Sequence, residues 1–181
     1  MVGRAKKTTW QRHQGIAVAN NNFVFVSVGT HPQQFNRLLE EIDRLVQAGK
    51  ISGRVLCQSG HSDYSTKYFE SKKFMGIEEF GKNVIAAGIF ITHAGEGNIG
   101  LAKNSGAKFI CVPRRKEFGE HTNDHQLELA KVVEEMGLGL VAWNPGDLES
   151  RLAQLKGFRA ADVPRGRING ILDEYFAKAF G

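Results

Sequence analysis

The chain has 181 residues, of which 41% are hydrophobic and 24% are charged, as in an ordinary globular domain. No window approaches the roughly 18 uninterrupted apolar residues that a membrane-spanning helix requires, so no transmembrane segment is predicted. The formal net charge is +5, but the first 22 residues hold four cations and no acid, which leaves +1 for the rest. A nucleic-acid-binding face is therefore not predicted, and residues 1–22 are interpreted as a basic, disordered tail.

Strand-like and helix-like segments alternate along the chain after residue 22. The predicted strands, in order, are 23–28, 54–58, 72–75, 89–93, 108–112 and 139–143. The predicted helices are 35–46, 78–87, 97–105, 123–136 and 146–156. The first helix has apolar side chains at helical spacing, Pro32 in its first turn and Gly49 just past its end. This alternation predicts an α/β fold over residues 23–157, with a parallel sheet covered by helices on both faces.

Residues 158–181 combine a hinge-like composition with an apolar helical stripe, and we interpret them as a hinge followed by an amphipathic C-terminal helix. The stripe is expected to dock either on the chain's own sheet or on a partner. Cys57 and Cys111 lie inside predicted strands and lack the spacing of paired cysteines. This placement indicates reduced core residues of a cytoplasmic protein.

The residues that come directly after the predicted strands are candidates for ligand contact, because the ligand crevice of an open parallel sheet lies at the carboxyl ends of its strands. Gly29, Thr30 and His31 come after the first strand, and Gln58 ends the second. The segment after the strand near residue 90 contributes His93, Gly95, Glu96, Gly97 and Asn98. Glycine turns that lead into helix starts let backbone N–H groups approach phosphate closely. The two turns therefore predict a diphosphate ligand.

A polar loop at 113–121 leads into the helix that begins near Asn123. Arg114 and Arg115 in this loop are either solvated or placed beside an anionic ligand, and the sequence leaves both interpretations open. Asn123 and Gln126 have the spacing of a helix N-cap pair.

His121 and His125 have a spacing that could bring both side chains to a metal together with His93. The predicted N-cap pair places His121 outside the helix, away from the face of His125. No metal site is therefore predicted.

The segment 95–100 also matches the G-x-G-x-x-G pattern of dinucleotide-binding folds, and Arg114 and Arg115 could accept the 2′-phosphate of NADP. That pattern normally opens the first βαβ unit, whereas here at most two predicted strands come after it. An NADP-dependent oxidoreductase is therefore kept as an alternative rather than as the main interpretation.

Several segments together resemble the C-terminal domain of family 28 glycosyltransferases over about residues 23–156. The similar segments are 25–31, 35–38, 92–95, 112–121 and 123–126. Within the family, the one-domain subunits are the most similar: the PssE-type chain of exopolysaccharide synthesis and the catalytic subunit of the two-chain UDP-GlcNAc transferase. The resemblance implies the Rossmann-like, donor-binding half of a GT-B glycosyltransferase.

The resemblance also implies an activity and partners. Sugar would be moved with inversion from a UDP-sugar to a lipid-linked or polysaccharide acceptor, and UDP-sugar would be a substrate with no cofactor needed. The acceptor and the general base would belong to a membrane-anchored partner subunit, which would hold this chain at the cytosolic face of a membrane. No catalytic residue is assigned within the chain.

Carried over by position, the family's contacts fall on four groups of residues. Gly29 and Thr30 would face the diphosphate or sugar, and Ile77 would border the uracil. Phosphate would lie against Gly95, Glu96, Gly97 and Asn98, and the sugar hydroxyls would be reached by Asp124, His125 and Gln126.

Three positions depart from the family pattern. Asn98 stands in place of Ser, Gly88 in place of Asp, and Leu101 in place of the acidic residue that binds the ribose hydroxyls. Leu101 matters most, because a carboxylate there would accept charge-assisted hydrogen bonds from the ribose. A non-catalytic subunit that binds nucleotide sugars is therefore a further alternative.

Overall fold

The computed structural model describes residues 22–164 and Gly170. The predicted basic tail lies outside the described residues except for Asn22, and the predicted C-terminal helix lies outside them except for Gly170. No helix among the described residues is both long enough and apolar enough to cross a bilayer.

Six parallel strands form a single sheet in the order β3-β2-β1-β4-β5-β6. The strands are β1 (Val24–Ser27), β2 (Val55–Gln58), β3 (Glu70–Lys72), β4 (Ile89–Thr92), β5 (Phe109–Cys111) and β6 (Leu140–Val141). The chain builds the sheet outward from β1 to β3, returns to place β4 beside β1, and then builds in the other direction. The switch point between β1 and β4 is where doubly wound sheets open a crevice for ligands.

Helices cover both faces of the sheet, as the sequence predicts. They are α1 (Asn36–Gln47), α2 (Ile77–Ala86), α3 (Glu96–Ser105), α4 (His125–Glu135) and α5 (Leu148–Leu155). Val24 and Val26 of β1 pack in the cluster that α1 and α5 complete, whereas Phe25 packs in the cluster of α2, α3 and α4. Successive β1 residues thus enter opposite cores, which explains why Val24, Phe25 and Val26 are all apolar.

The two cysteines confirm their predicted place in the core. Cys57 lies in the cluster beneath α1 and Cys111 in the cluster beneath α3, and both are fully buried free thiols. Burial raises the pKa of each thiol well above its usual range, so both are inert at neutral pH.

Two predicted boundaries are wrong for physical reasons that the structure supplies. Pro32 is not in a helix, because the segment before α1 is held by a hydrogen bond from the Phe35 backbone N–H to the Ser62 hydroxyl, 2.9 Å long. The third strand, β3, begins and ends earlier than predicted. Its last residue, Lys72, pairs with Gln58 at the carboxyl end of β2, so residues 73–75 have no strand residue to pair with.

The segment after α5 stays on the domain. Phe158 packs against the cluster of α1 and α5, and Val163 packs against the opposite cluster. Between them, the Ala161 backbone N–H donates to the Gly137 carbonyl over 2.8 Å. Residues after position 157, where the domain was predicted to end, therefore still pack against the domain.

Candidate functional site

The carboxyl ends of β1 and β4 meet at the switch point of the sheet. Ser27 and Thr92 are paired there in register, and the turn at Gly29 and the segment 93–95 come directly after them. The Ser27 hydroxyl accepts the Gly29 backbone N–H over 3.3 Å, while the Ser27 carbonyl accepts that of His93 over 3.1 Å. These bonds hold the two predicted glycine turns beside each other.

The His93 ring fills the space between the two turns. A methyl group added at Gly29 would lie 2.5 Å from His93 Cε1, and one added at Gly95 would lie 2.4 Å from Nε2. Gly29 also has a φ of +85°, which other residues rarely adopt. The histidine ring therefore requires glycine at both positions, and the backbone conformation at Gly29 requires it a second time.

His93 is a neutral imidazole at physiological pH. Burial is the largest cause and, together with the charge of Arg114 and smaller effects from His121 and His31, it lowers the pKa of His93 to about 3. A neutral ring can donate one hydrogen bond and accept another. It thus offers a polar group at the crevice without a permanent charge.

Helix α3 begins at this edge and is anchored there by Asn98. The Asn98 amide donates to the Thr92 hydroxyl over 2.7 Å and to the Ser27 hydroxyl over 3.4 Å. Gly95 is the N-cap, and the exposed Glu96 and Gly97 form the first turn. Asn98 and Ile99 donate their backbone N–H groups to the Gly95 carbonyl. The helix start therefore presents the N–H groups of residues 96 and 97 to the crevice.

Arg114 lies inside the protein rather than on a solvated loop. Its side chain is fully buried, and its guanidinium donates to the carbonyls of Gln33 at 3.0 Å, Glu120 at 3.1 Å and Val28 at 2.5 Å. Burial lowers its pKa to about 10, an effect that Glu120 opposes, so Arg114 stays charged at neutral pH. It joins the end of β1 to the loops beside the crevice and places a positive charge behind them.

Glu120 and Arg37 form an ion pair that the sequence analysis did not single out. The Glu120 carboxylate is fully buried and accepts two hydrogen bonds from Arg37, at 2.7 and 2.9 Å. It also accepts the Arg115 backbone N–H over 3.0 Å. The Arg115 guanidinium itself donates to the Glu117 carboxylate and to the Trp143 carbonyl. The loop after β5 is thus held by Arg37 of α1 on one side and by the Trp143 carbonyl on the other.

The predicted N-cap pair at the start of α4 is wrong. The Gln126 side chain is 6% exposed, and its Oε1 accepts the Arg114 backbone N–H over 3.1 Å, so it faces the end of β5. Asn123 instead accepts from the His125 backbone N–H, and Asp124 accepts from that of Lys116 at 3.0 Å. These bonds order the loop and place residues 124–126 near the crevice.

His31 and His121 form a pair, and His125 lies apart from them. The rings of His31 and His121 stack with centroids 4.2 Å apart, and burial together with the charges of His121 and Arg114 lowers the pKa of His31. His125 lies apart from them and contacts Glu128 at 3.0 Å. Among residues 22–164, no group of three or more potential ligands is arranged to hold a metal.

The remaining predicted contacts lie at the end of β2, at the start of α2 and in the turn after β1. Gln58 is buried, and its Oε1 accepts the Met75 backbone N–H over 3.0 Å, which ties β2 to the segment after β3. Ile77 begins α2 and is 94% exposed. Nearby, Phe74 is half exposed and meets the His61 ring edge-on. Thr30 is exposed at the first turn.

A family comparison agrees with this geometry. The glycosyltransferase family 28 C-terminal domain matches residues 23–168, most of the chain. The chain belongs to this family. The G-x-G-x-x-G pattern of this family 28 domain comes after β4 rather than after the first strand, unlike a dinucleotide fingerprint. No curated protein matches the chain.

Solved glycosyltransferases share the fold of this family 28 domain. The glycotransferase of kitacinnamycin aligns with 100% of this chain and 44% of its own, at 21% identity and a TM-score of 0.58. The spinosyn forosaminyltransferase SpnP aligns with 85% of this chain and 39% of its own, at 15% identity and a TM-score of 0.51. The chain therefore spans less than half the length of these proteins, and its predicted GT-B half-fold is confirmed.

Proposed function

We propose that this family 28 domain binds the UDP-sugar donor of an inverting glycosyltransferase. The observation that carries the proposal is the convergence of two glycine turns on the neutral His93 ring at the switch point between β1 and β4. A crevice at that point, beside the start of a helix, is suited to a diphosphate.

The groups around the crevice would stabilise UDP as it leaves the sugar. The backbone N–H groups of Glu96 and Gly97, aided by the dipole of α3, would donate to the phosphate oxygens. His93 would donate a further hydrogen bond, and the buried charge of Arg114 would favour the developing negative charge without direct contact. Preorganised donors of this kind stabilise the transition state more than the ground state.

The sugar and the uracil ring of the donor would lie at opposite ends of the site. Asp124, His125 and Gln126 would reach the sugar hydroxyls. Because Gln126 Oε1 already accepts a hydrogen bond from the Arg114 backbone, its Nε2 would be the group that donates to the sugar. The uracil would lie over the exposed Ile77. Leu101, in the second turn of α3, is partly buried against the core and supplies no acceptor for the ribose. Glu96 is the nearest acidic residue along the helix and would take that role.

The acceptor and the general base are proposed to belong to a membrane-anchored partner subunit. This domain corresponds to one half of a GT-B fold, as in the PssE-type and two-chain UDP-GlcNAc transferases that it resembles. Such a partner would hold the domain at the cytosolic face of the membrane and supply a lipid-linked or polysaccharide acceptor.

UDP should bind the purified chain, whereas NADPH should not. Calorimetric titration of both nucleotides under the same conditions tests the expectation, with chemical-shift mapping to locate the UDP signal at residues 29, 93 and 95–97. Affinity for NADPH without affinity for UDP would favour the oxidoreductase alternative instead.

Leu101→Glu should tighten UDP binding by up to about tenfold, because a carboxylate would accept charge-assisted hydrogen bonds from the ribose. Some stability should be lost, since Leu101 packs against the core. Leu101→Gln is the matched control, because it removes the same packing but adds no charge. Equal UDP affinities for the Glu and Gln variants would argue that Glu96 already serves the ribose or that the position was carried over wrongly.

A chain ending at Pro164 should stay folded and bind UDP as the full chain does, because every candidate site residue precedes that point. Thermal melting and UDP titration test this expectation. The same truncation should remove co-purification with the proposed partner if the C-terminal helix is an interface. A truncated chain that aggregates would instead place that helix on the domain's own core.

A further inference from the structure

A cavity lies at the amino ends of the strands, at the end of the sheet opposite to the candidate site. It has a volume of about 560 Å³ and is lined by residues between α3, the start of β5 and the segment after α5. Lys108 immediately precedes β5, so the cavity opens at the amino ends of the strands. A volume of this size accommodates a small-molecule ligand.

The lining of this cavity carries four cations and no acid. They are Lys103, Lys108, Lys156 and Arg159. Within the described part of the chain, the last three form no ion pair. Lys103 donates to the Ala161 carbonyl over 2.9 Å, and burial lowers its pKa, with Asp162 acting in the opposite direction. Grouping uncompensated cations costs free energy unless an anion joins them.

The positive charge continues beyond the cavity. A neighbouring cavity of about 490 Å³ shares Lys108 and Lys156, and its one acid, Glu149, is already paired with Lys50 at 2.7 Å. The two shared cations therefore face a neighbouring cavity whose lining supplies no unpaired acid.

We propose that this amino-edge cavity binds the phosphate group of an amphiphilic ligand. The four cations would hold the phosphate, while the partly exposed Phe158 provides an apolar surface for the attached group. A soluble phosphate ester and the headgroup of an anionic phospholipid share this chemistry. The site is separate from the proposed donor site, since the two lie at opposite edges of one sheet.

The full-length chain can test this proposal with two probes. The first probe is glycerol 3-phosphate, monitored by NMR shifts of the amides of residues 107–109 and 157–159. The second is flotation with vesicles of phosphatidylcholine alone or mixed with phosphatidylglycerol. The test variant is Lys108→Gln/Lys156→Gln/Arg159→Gln. The matched control is Lys67→Gln/Lys82→Gln/Lys131→Gln, which removes three exposed lysines located elsewhere.

Binding of either probe should fall by roughly tenfold in the test variant and stay unchanged in the control. Binding of glycerol 3-phosphate alone identifies a soluble ester, and binding of anionic vesicles alone identifies a lipid headgroup. Failure of both probes, or equal losses in the control, would overturn the proposal. UDP affinity should be unchanged in the test variant, so a failure here is distinguishable from a failure of the proposed donor site.

Discussion

Arg114→Met should destabilise the domain by roughly 3 kcal/mol, because the buried carbonyls of Glu120 and Val28 lose their donor and each unpaired group costs about 1–3 kcal/mol. The pKa of His93 should also rise, since the Arg114 charge helps to lower it, but burial, the larger cause, should keep it below its ordinary value. Chemical denaturation measures the first effect, and an NMR titration of the His93 ring measures the second.

The same variant should change how stability depends on pH. In the unfolded chain His93 takes up a proton near pH 6.5, whereas in the folded chain it does so at about 3. The free energy of unfolding should therefore decrease as the pH falls from about 6.5 towards 3, by up to about 1.4 kcal/mol per pH unit for this group. Without Arg114, that interval should be shorter.

Two controls separate charge from geometry at Arg114. Arg114→Lys keeps the charge but cannot reach three carbonyls in a fixed fork, so it should lose stability while largely preserving the low pKa of His93. Arg115→Met removes a neighbouring guanidinium that is partly exposed and should cost under about 1 kcal/mol. An unchanged pKa of His93 in a folded Arg114→Met variant would contradict the proposed electrostatic role.

Gly95→Val should lower UDP affinity by more than about tenfold while the domain stays folded. The new Cβ would lie 2.4 Å from His93 Nε2, so the ring must move, and Gly29 blocks its other side. The backbone at Gly95 is extended, with φ of −96° and ψ of 133°, which valine adopts readily. UDP titration and thermal melting of the purified variant give the two measurements.

Two further glycines provide controls for this prediction. A methyl group at Gly97 would meet no protein atom within 4 Å, so a loss of UDP affinity in Gly97→Ala would come from the ligand's own approach to the backbone. Gly81→Ala, in the middle of α2 and equally unobstructed, should raise stability by up to about 1 kcal/mol and leave binding unchanged. Normal UDP affinity in a folded Gly95→Val variant would remove His93 from the proposed site.

The sequence predicted the sheet and the helices because these depend on local periodicity, and it predicted that the turns after β1 and β4 lie beside each other because residues directly after parallel strands share one end of the sheet. It could not assign Arg114, since the burial of this charged side chain depends on the carbonyls of Gln33 and Val28, which are more than 80 residues away in the sequence. The role of Gln126 was missed for the same reason: its partner, the Arg114 backbone N–H, lies on another element. Glu120 gave no local signal, because its partner Arg37 is 83 residues away.

The His93 ring held between Gly29 and Gly95 ties the evolution of these three positions together. While the histidine is present, a larger residue at either glycine would displace its ring, whichever ligand the domain takes. A smaller residue at position 93 would vacate the space next to Gly95 and permit side chains there, whereas Gly29 would still be restricted by its positive φ. Position 95 should therefore covary with position 93 among homologous sequences, while position 29 should remain glycine in either background.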